Sequence, residues 1–81
     1  MADVLEWEID SEDELKQIIE LVIELGKKQE LRFKSASGKR KRYLHVTCEP
    51  EETRWRFRHW MSGAQGHCFT VDDVVEQWRW C

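Results

Sequence analysis

Apolar residues recur along this chain at two periods, every second position or on a helical spacing, and the switches between the periods mark out its elements. Val4–Ile9 alternates Leu5, Trp7 and Ile9 with Glu6 and Glu8, which predicts a strand with one buried face. Asp10, Ser11, Glu12, Asp13 and Glu14 then open a helix. Ser11 and Glu14 have the spacing of a capping box, and the surrounding carboxylates complement a helix N-terminus. Leu15, Ile18, Ile19, Val22 and Leu25 follow at helical spacing, widened by Leu21 and Ile23 and stopped by Gly26, Lys27 and Lys28.

Beyond the helix the period returns to two. Leu31–Ser35 points Leu31 and Phe33 inward, and Ser35–Gly38 is a turn. A strand from Arg40 to Cys48 sets Leu44, Val46 and Cys48 against Lys41, Tyr43, His45 and Thr47. Glu49–Glu52 breaks it, because Pro50 has no N–H for a ladder. Arg54–Met61 alternates Trp55, Phe57, His59 and Met61 with Arg54, Arg56, Arg58 and Trp60. Ser62–Gly66 reads as a flexible loop. Thr70 then caps a second helix with Asp73 at N3, Phe69 and Val74 are placed for a hydrophobic staple, and Val71, Val74, Val75 and Trp78 form the apolar stripe.

The expected fold is therefore α+β in the order β-α-β-β-β-α: one antiparallel sheet with two helices packed on one face and the other face in solvent. The first strand adds at an edge or beside another strand. Eighty-one residues make a single small domain, 1–81, in which five Trp and three Phe supply much of the apolar area.

Charge sharpens this picture. The net charge is −3, but residues 1–25 carry nine acids against Lys16, while residues 26–43 carry eight bases against Glu30. That polarity implies internal pairing or a two-faced surface. The N-terminus lacks the basic and apolar regions of a secretory signal, and Ile18–Leu25 is broken by Glu20 and Glu24. Cys48, Cys68 and Cys81 are odd in number and widely spaced, so they read as reduced thiols in a cytoplasmic protein with no membrane association.

The face turned away from the helices is the candidate site. It gathers Arg32, Lys34, Lys41, Tyr43, His45, Arg54, Arg56, Arg58 and Trp60. Cations there neutralise phosphates, and Tyr43 and Trp60 offer rings on which unpaired bases stack. The run Lys39, Arg40, Lys41, Arg42 beside Gly38 adds an anion-binding lip. The plainer alternative is an ordinary solvated sheet surface in which Glu6 and Glu8 pair with these bases, each pair worth little.

The order helix–strand–strand–strand–helix over residues 11–80 resembles double-stranded RNA-binding domains in topology. Those domains touch phosphates through a basic cluster at the start of the last helix. Here Asp72 and Asp73 hold that position, so that contact does not carry over.

Other chemistry finds less footing. Cys48, His59, His67, Cys68 and Cys81 contain no pair at zinc-finger spacing, and neither metal nor cofactor is expected. His45 and Cys48 fall on opposite faces of one strand, which separates a thiol from its imidazole base. No glycine-rich phosphate loop is present. The expectation is a non-enzymatic binding module, monomer or homodimer, whose partner is nucleic acid (RNA or single-stranded DNA) or an acidic protein. The alternative is a small intracellular inhibitor, resembling phage-encoded inhibitors and antitoxins in style, that blocks a larger nucleic-acid-processing protein. It would dock through the basic face or through the acidic patch of Asp10, Glu12, Asp13, Glu14, Glu20 and Glu24.

Overall fold

The computed structural model describes residues 4–37 and 42–80. The elements follow in the order β1 (Val4–Ile9), α1 (Glu12–Leu25), β2 (Gln29–Ser35), β3 (Tyr43–Glu49), a 3₁₀ turn (Pro50–Glu52), β4 (Arg54–His59), β5 (Gln65–Cys68) and α2 (Val71–Arg79). The α+β class, with two helices and a single sheet, is as the periodicity predicts. Two features of the sheet differ from the expectation.

The first is a parallel pair. The five strands lie in the order β1-β2-β3-β4-β5, and β1 runs parallel to β2 while every other pair is antiparallel. The sheet is therefore mixed. The reason is connectivity: α1 lies between β1 and β2 in sequence, and a helical crossover returns the chain in the same direction. The second is β5, which replaces the end of the expected loop. Its inward residues are Gly66 and Cys68, so the apolar alternation that marks a strand is nearly blank there. Gly66 fits because the Phe57 ring lies across it: an added Cβ would sit 2.8 Å from the ring's Cζ.

Both helices feed one core. Leu15, Ile19 and Val22 of α1 and Val74, Val75 and Trp78 of α2 are buried with Ile9, Leu31, Phe33, Leu44, Val46, Cys48, Trp55 and Cys68 of the sheet. Burying one large apolar side chain is worth about 1.5–3 kcal/mol. Trp78 and Val74 alone thus attach α2 by an amount comparable with a small domain's whole stability. The fork between Arg79 and Glu12, at 2.7 and 3.0 Å, joins the helices at the surface and adds little to that.

The helix ends are close to expectation. Thr70 and Asp73 form the full capping box, with Asp73 N–H donating to Thr70 Oγ1 at 3.1 Å and Thr70 N–H to Asp73 Oδ2 at 3.1 Å. Phe69 stays largely exposed, so the expected staple against Val74 buries little of its ring. At α1 the Ser11 hydroxyl accepts from Asp13 N–H at 3.2 Å, one residue earlier than a capping box requires. Gly26 closes α1 in the left-handed conformation, φ 67°.

Candidate functional site

The open face of the sheet is built by strand parity. Register places Glu6, Arg32, His45, Arg58 and Gln65 side by side across all five strands. A second row holds Val4, Glu30, Thr47, Arg56 and His67, and a third begins Glu8, Lys34, Tyr43. Trp60 lies just beyond β4, but its N–H donates to Tyr43 O at 3.0 Å and prolongs the ladder into the third row. Arg32, Lys34, Tyr43, Arg54, Arg56, Arg58 and Trp60 are thus brought onto one surface, as the alternation implies.

That surface is not uniformly basic. Lys34 Nζ lies 3.2 Å from both Glu6 and Glu8, and hydrogen bonding to Glu6, then to Glu8, holds its pKa above the ordinary lysine value. Arg54 pairs with Glu52 at 2.6 Å and Glu49 at 3.8 Å, and Arg56 reaches Glu49 at 3.7 Å. His45 is paired with Glu30. Glu49 is buried, which raises its pKa, but Lys28 at 3.3 Å and the Arg56 charge outweigh this and leave it below the usual carboxylate range. Glu6 and Glu8 were foreseeable counterions. Glu30 and Glu49 were missed for a simple reason: each lies one residue beyond the expected end of its strand, and parity places it among the bases once the strand is lengthened.

Two guanidinium groups remain. Arg32 and Arg58 have no carboxylate at ion-pairing distance among the described residues, and both lie over Trp60, with Cζ 5.7 and 5.8 Å from its ring centroid. His45 approaches the same ring at 6.5 Å. Trp60 follows β4 and Arg32 lies on β2, so their contact spans β3. The indole is nonetheless 53 % exposed. Glu6, Arg32, Lys34, Tyr43, His45 and Trp60 surround an open depression of about 180 Å³, floored by Phe33 and Leu44. A cation over an indole is stabilised by the ring quadrupole, by about 0.5–1 kcal/mol at an exposed site, so these arginines are held in place without being neutralised.

Not every expected residue joins this surface. Arg42 pairs with Ser35 through its carbonyl and falls on the helix side of the sheet, with Cζ 5.6 Å from the Trp78 ring centroid. Parity gives the reason: Arg42 is two residues before the inward-facing Leu44. The rest of the proposed lip, Lys39, Arg40 and Lys41, lies outside the described residues, as does Cys81.

The acidic side is partly spent on structure. Asp10 accepts from Ser35 Oγ at 2.9 Å and Ser37 N–H at 3.2 Å, which depresses its pKa. Glu12 holds Arg79. At the start of α2, Asp72 pairs with Lys16 at 3.5 Å and Asp73 closes the cap. Glu20 and Glu24 stay exposed on α1 beside Leu21 and Leu25, which are 60 % and 61 % exposed.

Among the described residues no group of three or more His, Cys, Asp and Glu side chains is arranged to hold a metal ion. Burial pushes the Cys48 thiol up to about 12 and the Cys68 thiol up to about 11, away from the thiolate form that nucleophiles and metal ligands need. No helix among the described residues is long and apolar enough to cross a membrane. Comparison with protein-family models, curated proteins and solved structures gives no match to this chain.

Proposed function

We propose that this chain is a non-enzymatic binding module that holds single-stranded nucleic acid on its open sheet face at Trp60. One observation carries the reading: the two sheet-face arginines that have no carboxylate partner among the described residues, Arg32 and Arg58, both lie on a half-exposed indole above a depression lined by Tyr43 and His45. Exposed rings stack on unpaired bases and unneutralised guanidinium groups bind phosphate. A duplex hides its base faces, and the start of α2, where a basic cluster would touch its backbone, carries Asp72 and Asp73. Cytoplasm is the compartment that suits the free thiols of Cys48 and Cys68.

The test is a salt titration with labelled single-stranded and duplex RNA and DNA. Two phosphate contacts on a single strand give a log–log slope of about −1.4, and engagement of Lys39, Arg40 and Lys41 as well steepens it to about −3.5. Replacing Arg32 and Arg58 together with Ala is expected to flatten the slope by about 1.4. Trp60→Ala is expected to weaken binding by about 1–3 kcal/mol and leave the slope unchanged. Absence of binding to any of the four nucleic acids at low salt refutes the reading.

A second reading draws on α1. Leu21 and Leu25, one turn apart beside Glu20 and Glu24, form an acidic surface with an apolar centre, suited to a small inhibitor that occupies a basic protein partner. An interface of that kind depends far less on salt than phosphate binding does.

A further inference from the structure

The depression at Trp60 is electrically polarised, and its polarity suits one class of base. This inference rests on the nucleic-acid reading above and adds to it a residue that reads sequence. The guanidinium groups of Arg32 and Arg58 converge on the indole, Arg32 from β2, next to Glu6 in register, and Arg58 from β4. Glu6 lines the same depression from β1, and Lys34 holds one of its oxygens at 3.2 Å. Lys34 is shared with Glu8, so two carboxylates face one ammonium and the pair keeps a net negative charge.

Glu6 and Arg58 share a row three strand spacings apart, about 14 Å between backbones, and long side chains reach inward from both ends. A phosphate belongs at the guanidinium groups and is repelled from Glu6. What Glu6 accepts is a hydrogen-bond donor, because an ionised carboxylate has no proton to give.

We propose that Glu6 selects the base seated at Trp60, favouring guanine and disfavouring uracil or thymine. Guanine presents two adjacent donors, N1–H and N2–H, on its Watson–Crick edge, a fork that a carboxylate accepts much as it accepts an arginine. Uracil and thymine present a single N3–H between two carbonyl oxygens, which meet the carboxylate with like charge. Cytosine and adenine, each with one exocyclic amino donor beside an acceptor nitrogen, fall between.

Fluorescence anisotropy with two labelled oligonucleotides tests this: an eight-residue oligouridylate and the same strand with one central guanosine. The intact protein is expected to bind the guanosine strand about tenfold more tightly, the low part of the range for a two-bond base contact. Glu6→Gln sits at an exposed strand position, and its circular dichroism and Tm are measured alongside to establish that it is folded. It is expected to reduce the preference to less than about threefold, since the amide turns one acceptor into a donor, with the salt slope kept. Equal affinity of the intact protein for the two strands, or a preference that survives Glu6→Gln, overturns the role of Glu6 and leaves the Trp60 site standing. No binding of either strand overturns the nucleic-acid reading itself, and this inference with it.

Discussion

Thr53 is the one residue other than glycine with a positive φ among the described residues. It ends the 3₁₀ turn between β3 and β4 in the left-handed region, φ 48° and ψ 38°, which a β-branched residue occupies at a cost of about 1–2 kcal/mol. Its hydroxyl donates to Glu52 O at 2.7 Å, an exposed bond that offsets little of this. Asn tolerates the left-handed region, so Thr53→Asn is expected to stabilise the fold by about 0.5–1 kcal/mol, a rise in Tm of about 2–8 °C for a domain of this size. A fall in Tm on thermal melting would show that Thr53 is not strained. Nothing in the run Glu51-Glu52-Thr53 announces this, because the usual signals for the conformation, Gly or Asn, are absent. The sheet-face arginines make the opposite case. Parity alone placed Arg32, Arg54, Arg56 and Arg58 on one face, but which of them stay unpaired depends on Glu30 and Glu49, each one residue beyond the expected end of its strand.

At the scale of elements, strongly periodic segments were legible and weakly periodic ones were not. α1, with five apolar residues at helical spacing, and β4, with four alternating pairs, were placed within two residues of their observed ends. β5 was hidden because its inward positions are Gly66 and Cys68, and glycine reads as loop. Its place in the sheet depends on Phe57, whose ring covers the glycine as a side chain would. Gly66→Ala is expected to cost about 1–3 kcal/mol, because its Cβ meets Phe57 Cζ and Cε1 at 2.8 and 2.9 Å and forces the ring out. In a Phe57→Leu background the clash is gone, so the same alanine should cost much less. Denaturant melts of the four proteins in this cycle measure the coupling directly. Additive losses would mean that the ring does not lie over the glycine. The parallel pairing of β1 was open for a different reason: alternation fixes which way a strand's side chains face but not its direction, and only the helix between β1 and β2 decides that.

The whole molecule divides its charges between two surfaces, and its stability should record that division as pH changes. Asp10, held by the Ser35 hydroxyl, Glu12, held by Arg79, and Asp73, held by Thr70, all titrate below their ordinary values. Glu49 does so as well, through Lys28 and Arg56 despite its burial. A carboxylate depressed in the folded state binds protons more weakly than in the unfolded chain. Its contribution is therefore complete above the unfolded value, about 4, and is lost as pH falls through the lower folded one. Lys34 and Arg79 are raised by their carboxylate partners. Their contribution is complete below the unfolded value, about 10.4 for Lys34, and is lost as pH rises through the higher folded one. Cys48 and Cys68 act in the same direction and begin earlier, because burial raises their thiols to about 12 and about 11 while the unfolded chain's thiols ionise near about 8.5. Thermal melts are thus expected to be nearly flat between about pH 5 and 8, to fall steeply below about pH 4, and to fall again above about pH 8.5 as the unfolded chain loses its thiol protons. The acid limb is the informative one, because Glu12 and Asp73 sit at helix starts while Asp10 ties the β2–β3 turn to the end of β1. Glu12→Gln should lower Tm at pH 7 and lower it less at pH 2, because the carboxylate takes up its proton as pH falls through its depressed folded value. An equal loss at both pH values would mean that Glu12 acts through packing and not through its charge on Arg79. The same exposed pairs weaken with salt, so the salt titration of ligand binding has to be run beside a melt at each salt concentration. The part of the binding slope that persists after correction for the folded fraction and is lost on replacing Arg32 and Arg58 belongs to those two, the guanidinium groups of the open face that no carboxylate pairs among the described residues.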